Sequence, residues 1–268
     1  MSGITHCPVA LTIAGSDSSG GAGIQADLKT FAALGVHGAS AIACLTAQNP
    51  RRVLAVETCP PGILRRQIEA VFEEMPPAAV KIGMLFSAEN FRVVAEFFGA
   101  RAARPRVPLV VDPVMVATSG APLLKPKAVS VLTETLLPLA ALVTPNLHEA
   151  EILIGRKLVS VEDLRAAARR IYASFGCAAL VKGGHLHGGR EAVDIFFDGR
   201  IELLLSAPFI KGVRTHGTGC TYSAAIAGYL ARGCNLPHAV KPAKQFITRA
   251  IAGSYCIGKH SVLNQLFR

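Results

Sequence analysis

A glycine-rich turn followed by a helix of small residues is the part of the chain best suited to chemistry. Gly217-Thr218-Gly219 precedes Cys220, and a largely apolar run continues to Gly233. Glycines let a backbone turn tightly and approach a ligand. The first amides of a helix lack partners inside it and carry partial positive charge, so they bind anions, most often phosphate. Because the same field favours a thiolate, we expect a lowered pKa for the Cys220 thiol. The alternative is an ordinary buried helix with a packed cysteine.

Polar residues also follow the predicted strands, at the end where open parallel sheets bind ligands. Phosphoryl transfer uses carboxylates to hold Mg²⁺, a cation for the phosphate oxygens, and amides that stabilise spreading charge. Each residue alone is explained by a turn or a cap. Their coincidence on one rim predicts a phosphoryl-transfer site. The residues are Gly15, Ser16, Asp17, Gln48, Asn49, Met84, Asp112, Asn146, Glu149 and Lys182.

Two other phosphate-binding motifs match the sequence only in part and are disfavoured. The segment 15–22 has the glycines of a phosphate loop but lacks the Lys-Ser/Thr ending. The segment 21–26, GAGIQA, matches the dinucleotide pattern G-x-G-x-x-A and predicts a nicotinamide-dependent oxidoreductase as a rival function. However, the next strand ends in Gln48 rather than in the acid that binds a ribose hydroxyl.

Strands and helices alternate along the chain and must position these residues. This order predicts one α/β domain, 1–268, with a mostly parallel sheet covered on both faces. The predicted strands are 9–15, 39–46, 53–58, 79–85, 107–111, 141–144 and 178–181, with a β-hairpin over 192–205 that turns at Asp198-Gly199. The predicted helices are 22–34, 61–74, one capped by Ser87, 125–137, one ending at Ile154, 161–175, one from Gly217, and 237–255.

The amino-acid composition indicates which class of ligand and which cellular compartment to expect. The 268 residues are 51% hydrophobic with a net charge of +10, but the basic residues are scattered and Trp is absent. This distribution favours anionic metabolites over nucleic acid. The seven cysteines form no C-x-x-C pair, which is typical of a reducing cytoplasm. We expect no signal peptide, because no basic segment precedes the short N-terminal apolar run, and no membrane span.

Seven motifs in one order carry a family resemblance: TIAGSDSSGGAGIQADL, TAQN, KIGML, VVDPVM, TPNLHEAE, VKGGH and THGTGCTYSAAIA. From about Leu11 to Ile251 the chain resembles the bifunctional hydroxymethylpyrimidine/phosphomethylpyrimidine kinases of thiamine synthesis, within the ribokinase-like superfamily. The resemblance implies a three-layer α/β/α sandwich with a small β-hairpin. It also implies ATP and Mg²⁺ as cofactors, a small pyrimidine as substrate, and a homodimer.

The resemblance further implies roles for individual residues. The pyrimidine would lie near Gly15, Asp27, Thr46, Gln48 and Met84. Asp112 and Glu149 would hold the metal and the nucleotide phosphates, and Lys182, Thr215 and Gly217 would contact ATP. Gly217 and Gly219 would belong to the anion hole, with Cys220 at the catalytic position beside Lys182.

Two further alternatives stay open at this point. A pyridoxal or pyridoxine kinase shares the fold and the cysteine, and a non-catalytic pyrimidine-binding protein could use the same scaffold. The chain also departs from the family pattern, with Thr118 where Lys is common, His148 where Pro is common, and the atypical ending IGKHSVLNQLFR. The first of these departures bears on phosphate contacts in the second phosphorylation.

Overall fold

The computed structural model describes residues 6–101, 107–115, 124, 126–184, 186, 190–213 and 216–267. Nine strands of these ranges form one sheet in the order β3-β2-β1-β4-β5-β6-β7-β8-β9. Six neighbouring strands, β2, β1, β4, β5, β6 and β7, pair in parallel. Strands β3, β8 and β9 join antiparallel at the edges. The strands are β1 Val9–Asp17, β2 His37–Asn49, β3 Arg52–Thr58, β4 Ala79–Ile82, β5 Leu109–Val111, β6 Leu142–Val143, β7 Ala178–Lys182, β8 Glu191–Phe197 and β9 Glu202–Pro208.

Helices connect the parallel strands and cover the sheet. They are α1 Gly23–Ala33, α2 Pro61–Glu74, α3 Ala88–Gly99, α4 Pro126–Val131, α5 Leu147–Ile154, α6 Val161–Phe175, α7 Thr218–Ala231 and α8 Leu236–Ala252. None of the helices within the described ranges is long and apolar enough to cross a bilayer.

Alternation along the buried strands divides the core into two layers. On β1, Leu11 and Ile13 face the cluster under α2, α3 and α6, while Ala10 faces the cluster under α1, α7 and α8. Successive side chains of a strand point to opposite faces, so each strand supplies both clusters. The three-layer α/β/α arrangement predicted from the sequence is therefore confirmed.

Helix boundaries follow the predicted capping chemistry. Ser87 and Ser160 accept hydrogen bonds from the backbone N–H groups of Asn90 and Asp163, respectively, as N-cap residues do. Gly176 ends α6 at φ +72°, in the left-handed region that glycine enters without strain. The hairpin of β8 and β9 also turns at Asp198-Gly199 as predicted.

Two predicted helices differ from the structure. The helix expected over 125–137 is α-helical only to Val131 and continues as a π-helical turn, Leu132–Leu136, and a 3₁₀ turn, Leu137–Leu139. Pro138 lacks an N–H and cannot extend a regular helix. The last helix ends at Ala252 instead of Tyr255, and a short antiparallel hairpin follows it, β10 Tyr255–Ile257 and β11 His260–Val262.

Candidate active site

A cavity lies at the carboxyl ends of the parallel strands, where the sequence predicted a ligand site. The loops after β1, β4, β5, β6 and β7 line it together with β2 and the start of α7. The cavity brings together most of the predicted site residues: Gly15, Thr46, Gln48, Met84, Asp112, Glu149, Lys182, Gly217, Gly219 and Cys220. Residues more than 200 positions apart therefore meet in one site.

The remaining predicted residues are placed differently. Asp27 is fully buried and does not line the cavity, so its side chain reaches the site only through a neighbour. Thr215 and Thr118 lie outside the described residues. His148 is exposed on α5, near Glu151.

The turn before α7 is shaped by close backbone contacts. Gly217 has φ +84°, and a Cβ there would lie 1.9 Å from the carbonyl oxygen of Gly21. A Cβ on Gly219 would lie 3.2 Å from Nζ of Lys182 and 3.3 Å from a carboxylate oxygen of Asp112. Glycine at both positions lets the first amides of α7 approach the charged residues of the cavity.

Lys182 and Asp112 form a buried ion pair across neighbouring strand ends. Nζ of Lys182 donates to Oδ1 of Asp112 at 2.9 Å, and Thr144 donates to the same oxygen at 3.2 Å. Burial opposes protonation of Lys182, but the negative charges of Asp112 and Glu149 outweigh it and raise the pKa of Lys182. The ammonium is therefore charged and fixed where a phosphate could replace part of its contact.

The side chain of Glu149 both caps the start of α5 and lines the cavity. Its carboxylate accepts from the N–H of Asn146 at 2.8 Å, while Asn146 accepts from the N–H of Glu149, which forms a capping box at the start of α5. Burial raises the pKa of Glu149 to about 7, and nearby Asp112 adds to the rise against the attraction of Lys182. A positive ligand between the two carboxylates would relieve this repulsion.

The expected low pKa of Cys220 is wrong in this structure. Burial raises the pKa of the thiol to about 11; Lys81 lowers it, whereas Asp27 and Asp112 raise it. Cys220 keeps partial exposure because it faces the cavity, yet protein atoms replace most of the water around its sulfur. Desolvation therefore outweighs the field of the α7 amides, and the thiol is mainly protonated at neutral pH before ligands bind.

The opposite side of the cavity presents three uncharged side chains, Thr46, Gln48 and Met84. Thr46 donates to the carbonyl of Ser16 at 2.8 Å and lies 3.3 Å from Oε1 of Gln48. A Cβ on Gly15 would lie 2.7 Å from Sγ of Cys44 and 3.0 Å from Cε of Met84, so a larger residue there would displace these side chains. The combination offers hydrogen bonds and an apolar contact to a flat, neutral ring.

His216 and Asp17 connect the two sides, a role that the sequence did not reveal. Nε2 of His216 lies 3.0 Å from Oδ2 of Asp17 and 3.2 Å from Nε2 of Gln48. Burial opposes ionisation of Asp17, but hydrogen bonds from His216 and Ser19 outweigh it and lower the pKa of Asp17. The turn that precedes the first amides of α7 is thereby tied to the wall that carries Gln48.

Lys81 is the second residue that sequence reasoning missed. It lines the cavity from β4, although its side chain is fully buried and paired with Asp27. The available signal was a lysine inside the apolar strand AVKI, where charged residues are rare unless paired.

The three-layer fold and a cavity that joins Thr46, Gln48 and Met84 to the first turn of α7 are typical of a small-molecule kinase of the ribokinase-like class. The chain belongs to the phosphomethylpyrimidine kinase family, whose profile matches residues 17–264. Over 250 residues it is 52% identical to a hydroxymethylpyrimidine/phosphomethylpyrimidine kinase of Rhizobium meliloti, covering 92% of this chain and 91% of that relative.

Solved structures agree with this assignment. A phosphomethylpyrimidine kinase from Clostridium difficile superposes with a TM-score of 0.79 at 46% identity, over 91% of this chain and 99% of that one. An ADP complex of Bacillus subtilis pyridoxal kinase gives a TM-score of 0.88 at 35% identity, over 97% and 98% of the two chains. The ribokinase-like fold predicted from the motifs is confirmed.

Proposed function

We propose that this member of the family transfers the γ-phosphoryl group of ATP to 4-amino-5-hydroxymethyl-2-methylpyrimidine and then to its monophosphate, in thiamine biosynthesis. The observation that carries the proposal is the junction in the cavity, where the neutral wall of Gln48 and Met84 meets Lys182 and the first turn of α7. A neutral ring on one side would present its hydroxyl to a phosphoryl group held on the other. Proximity of this kind supplies much of the catalysis in such reactions.

The neutral wall suits an aminopyrimidine edge. Gln48 offers both a donor and an acceptor, as an amino group beside a ring nitrogen requires. Gly15 permits close approach of the ring, and Met84 supplies a polarisable apolar contact. Asp27 does not line the cavity, and its carboxylate instead accepts a hydrogen bond from Lys81, which does.

Asp112 and Glu149 are the residues that would hold Mg²⁺. They are the two carboxylates of the charged side, and the described residues contain no cluster of three or more His, Cys, Asp or Glu side chains that could form a complete metal site. Mg²⁺ is commonly held by one or two carboxylates together with substrate phosphates and water, so this pair fits the ion. When bound, the ion supplies neutralisation of charge on the phosphate oxygens.

The reaction then depends on three groups of this chain. The hydroxyl oxygen of the pyrimidine attacks the γ-phosphorus, a new O–P bond forms, and the bond to the β–γ bridging oxygen breaks with its electrons leaving on ADP. Lys182 and the amides of Gly219 and Cys220 stabilise the transferred group. Sγ of Cys220 receives the hydroxyl proton, a role that requires its thiolate form.

A pyridoxal kinase is the second candidate, because the superposition with the Bacillus subtilis pyridoxal kinase has the higher TM-score, 0.88 against 0.79. Identity favours the pyrimidine, at 46% against 35% for these two structures. Rates measured side by side on hydroxymethylpyrimidine and pyridoxal separate the two, and a preference for pyridoxal would overturn the substrate assignment.

Mass analysis of the products after incubation with ATP, Mg²⁺ and hydroxymethylpyrimidine tests the proposal. The expected products are the monophosphate followed by the diphosphate. No phosphorylated pyrimidine despite tight pyrimidine binding would instead support a non-catalytic binding protein.

We also propose that the chain works as a single kinase domain, as a homodimer, and in the cytoplasm. The family resemblance supports the dimer, and the cysteine usage supports the compartment. Light scattering that gave the mass of one chain, 28.1 kDa, would contradict the dimer.

A further inference from the structure

Lys81 places a positive charge inside the sheet beside the catalytic end of α7. Its side chain has no exposed surface, and its Nζ donates to Oδ2 of Asp27 at 2.8 Å. Thr12 donates to the same oxygen at 2.6 Å. A Cβ on Gly83 would lie only 2.7 Å from this Nζ, so the ammonium fills space that glycine leaves empty. The charge is therefore held at one fixed position.

The pair is poorly arranged for stability alone. Oδ1 of Asp27 is buried without a hydrogen-bond partner among the described residues, because both donors contact Oδ2. Burying two charges costs more than their attraction returns unless the remaining polar atoms are satisfied. A buried group left unsatisfied in this way calls for a functional explanation.

Its position supplies that explanation. Lys81 and Cys220 line the same cavity, and α7 packs against β4, which carries Lys81. We propose that the Lys81 ammonium, held in place by Asp27, is a positioning residue for the reaction that stabilises the thiolate of Cys220. The inference rests on the proposed function of Cys220 as proton acceptor. Lys81 itself exchanges no proton, because its charge acts on the sulfur through space.

The charges around Cys220 come from four elements. Lys81 on β4 lowers the pKa of the thiol, whereas Asp27 on α1 and Asp112 after β5 raise it. Lys182 on β7 also interacts with Cys220. Asp27 and Lys81 form one ion pair but have opposite effects on the pKa of the thiol, and the effect of Lys81 is the larger.

The remaining groups near the thiol are already engaged. Asp17 on β1, which also packs against α7, is paired with His216. The backbone N–H of Gly23 donates to the sulfur of Cys220 and favours its thiolate. Neither contact involves Lys81 or Asp27, so both are expected to persist when either residue is replaced.

The test is the pH dependence of alkylation of Cys220 by iodoacetamide in the ligand-free protein, followed by mass spectrometry of the Cys220 peptide. In Lys81→Met the apparent pKa of Cys220 is expected to rise by about one unit or more. Alkylation below that pKa then slows by about tenfold per unit. In Asp27→Asn the apparent pKa is expected not to rise.

Lys244→Met is the matched control. Lys244 pairs with Asp194 at 2.7 Å, is nearly as buried, and does not line the cavity. Its loss removes a comparable buried pair and is expected to leave the titration of Cys220 unchanged. If Lys81→Met titrates like the original protein, or if Lys81→Met and Asp27→Asn both raise the pKa, the proposal is overturned.

A double variant keeps the test decisive. If Lys81→Met does not fold, Lys81→Met/Asp27→Leu removes both charges with an apolar pair of similar volume, which cores often tolerate. Its Cys220 is expected to titrate above that of the original protein but below that of the single variant, and an unchanged value refutes the role. The alkylation assay needs neither ATP nor pyrimidine, so its outcome is separate from the product analysis that tests the proposed function.

Discussion

The neutral side and the charged side of the cavity differ in the kinds of contact that they offer to a ligand. On the neutral side, Thr46, Gln48 and Met84 present hydrogen bonds and one apolar contact. On the charged side, Lys182 and Asp112 hold each other at 2.9 Å before any ligand arrives. Under the proposed function, the neutral side selects the ring and the charged side holds the phosphoryl group during its transfer. Changes on the two sides should therefore affect different kinetic constants.

The largest expected effect lies where the two sides meet. Cys220→Ala is expected to lower turnover by about 10²- to 10⁴-fold and leave the affinity for ATP nearly unchanged. Single-turnover phosphorylation and nucleotide binding measure the two quantities. Cys220→Ser is the matched variant, since it keeps a hydrogen-bonding group but raises its pKa. Unchanged turnover in Cys220→Ala would remove the thiol from the mechanism.

The next effect isolates the charged side. Lys182→Met is expected to lower kcat by about 10²- to 10³-fold, because a cation that stabilises the transferred phosphoryl group is lost. The KM for the pyrimidine should stay within a few-fold. Lys244→Met serves as the control for loss of a buried lysine away from the cavity. A pyrimidine KM that rises as much as kcat falls would show that the two sides do not act separately.

A smaller effect isolates the neutral side. Gln48→Ala is expected to raise the KM for the pyrimidine by about 10-fold, as loss of one or two hydrogen bonds predicts. Its kcat and the KM for ATP should change little. Steady-state kinetics with each substrate varied in turn measures this. Because His216 contacts both Gln48 and Asp17, a large drop in kcat would mean that the change is transmitted to the α7 turn.

The last expected effect is on stability rather than on kinetics. The pKa of Glu149 is raised from 4.5 to about 7, so the folded protein binds more protons than the unfolded chain between these values. Stability is then lost as the pH rises through this window, with a slope of at most about 1.4 kcal/mol per pH unit from this group.

Urea denaturation at several pH values, compared between the original protein and Glu149→Gln, measures this contribution. Between pH 5 and pH 7 the free energy of unfolding of Glu149→Gln is expected to fall less steeply with pH than that of the original protein. The difference in slope is at most about 1.4 kcal/mol per pH unit. Identical profiles would mean that folding does not raise the pKa of Glu149.

Sequence patterns anticipated the parts of the molecule that depend on local chemistry. The ends of α6 at Ser160 and Gly176 and the strand ends that carry Asp112 and Lys182 follow from capping and from the rule for parallel sheets. The pKa of Cys220 could not be predicted in this way, because it depends on how much water the packed protein removes. The buried pair of Lys81 and Asp27 was missed because the two residues lie 54 positions apart in the chain.

The contact between Gly217 and the carbonyl of Gly21 limits how this cavity can change. Two segments far apart in the chain touch through bare backbone, with no side chain between them that could be trimmed or enlarged. Laboratory selection for a bulkier heterocycle would gain little from mutating either glycine, and libraries directed at Thr46 and Met84 offer the more permissive route.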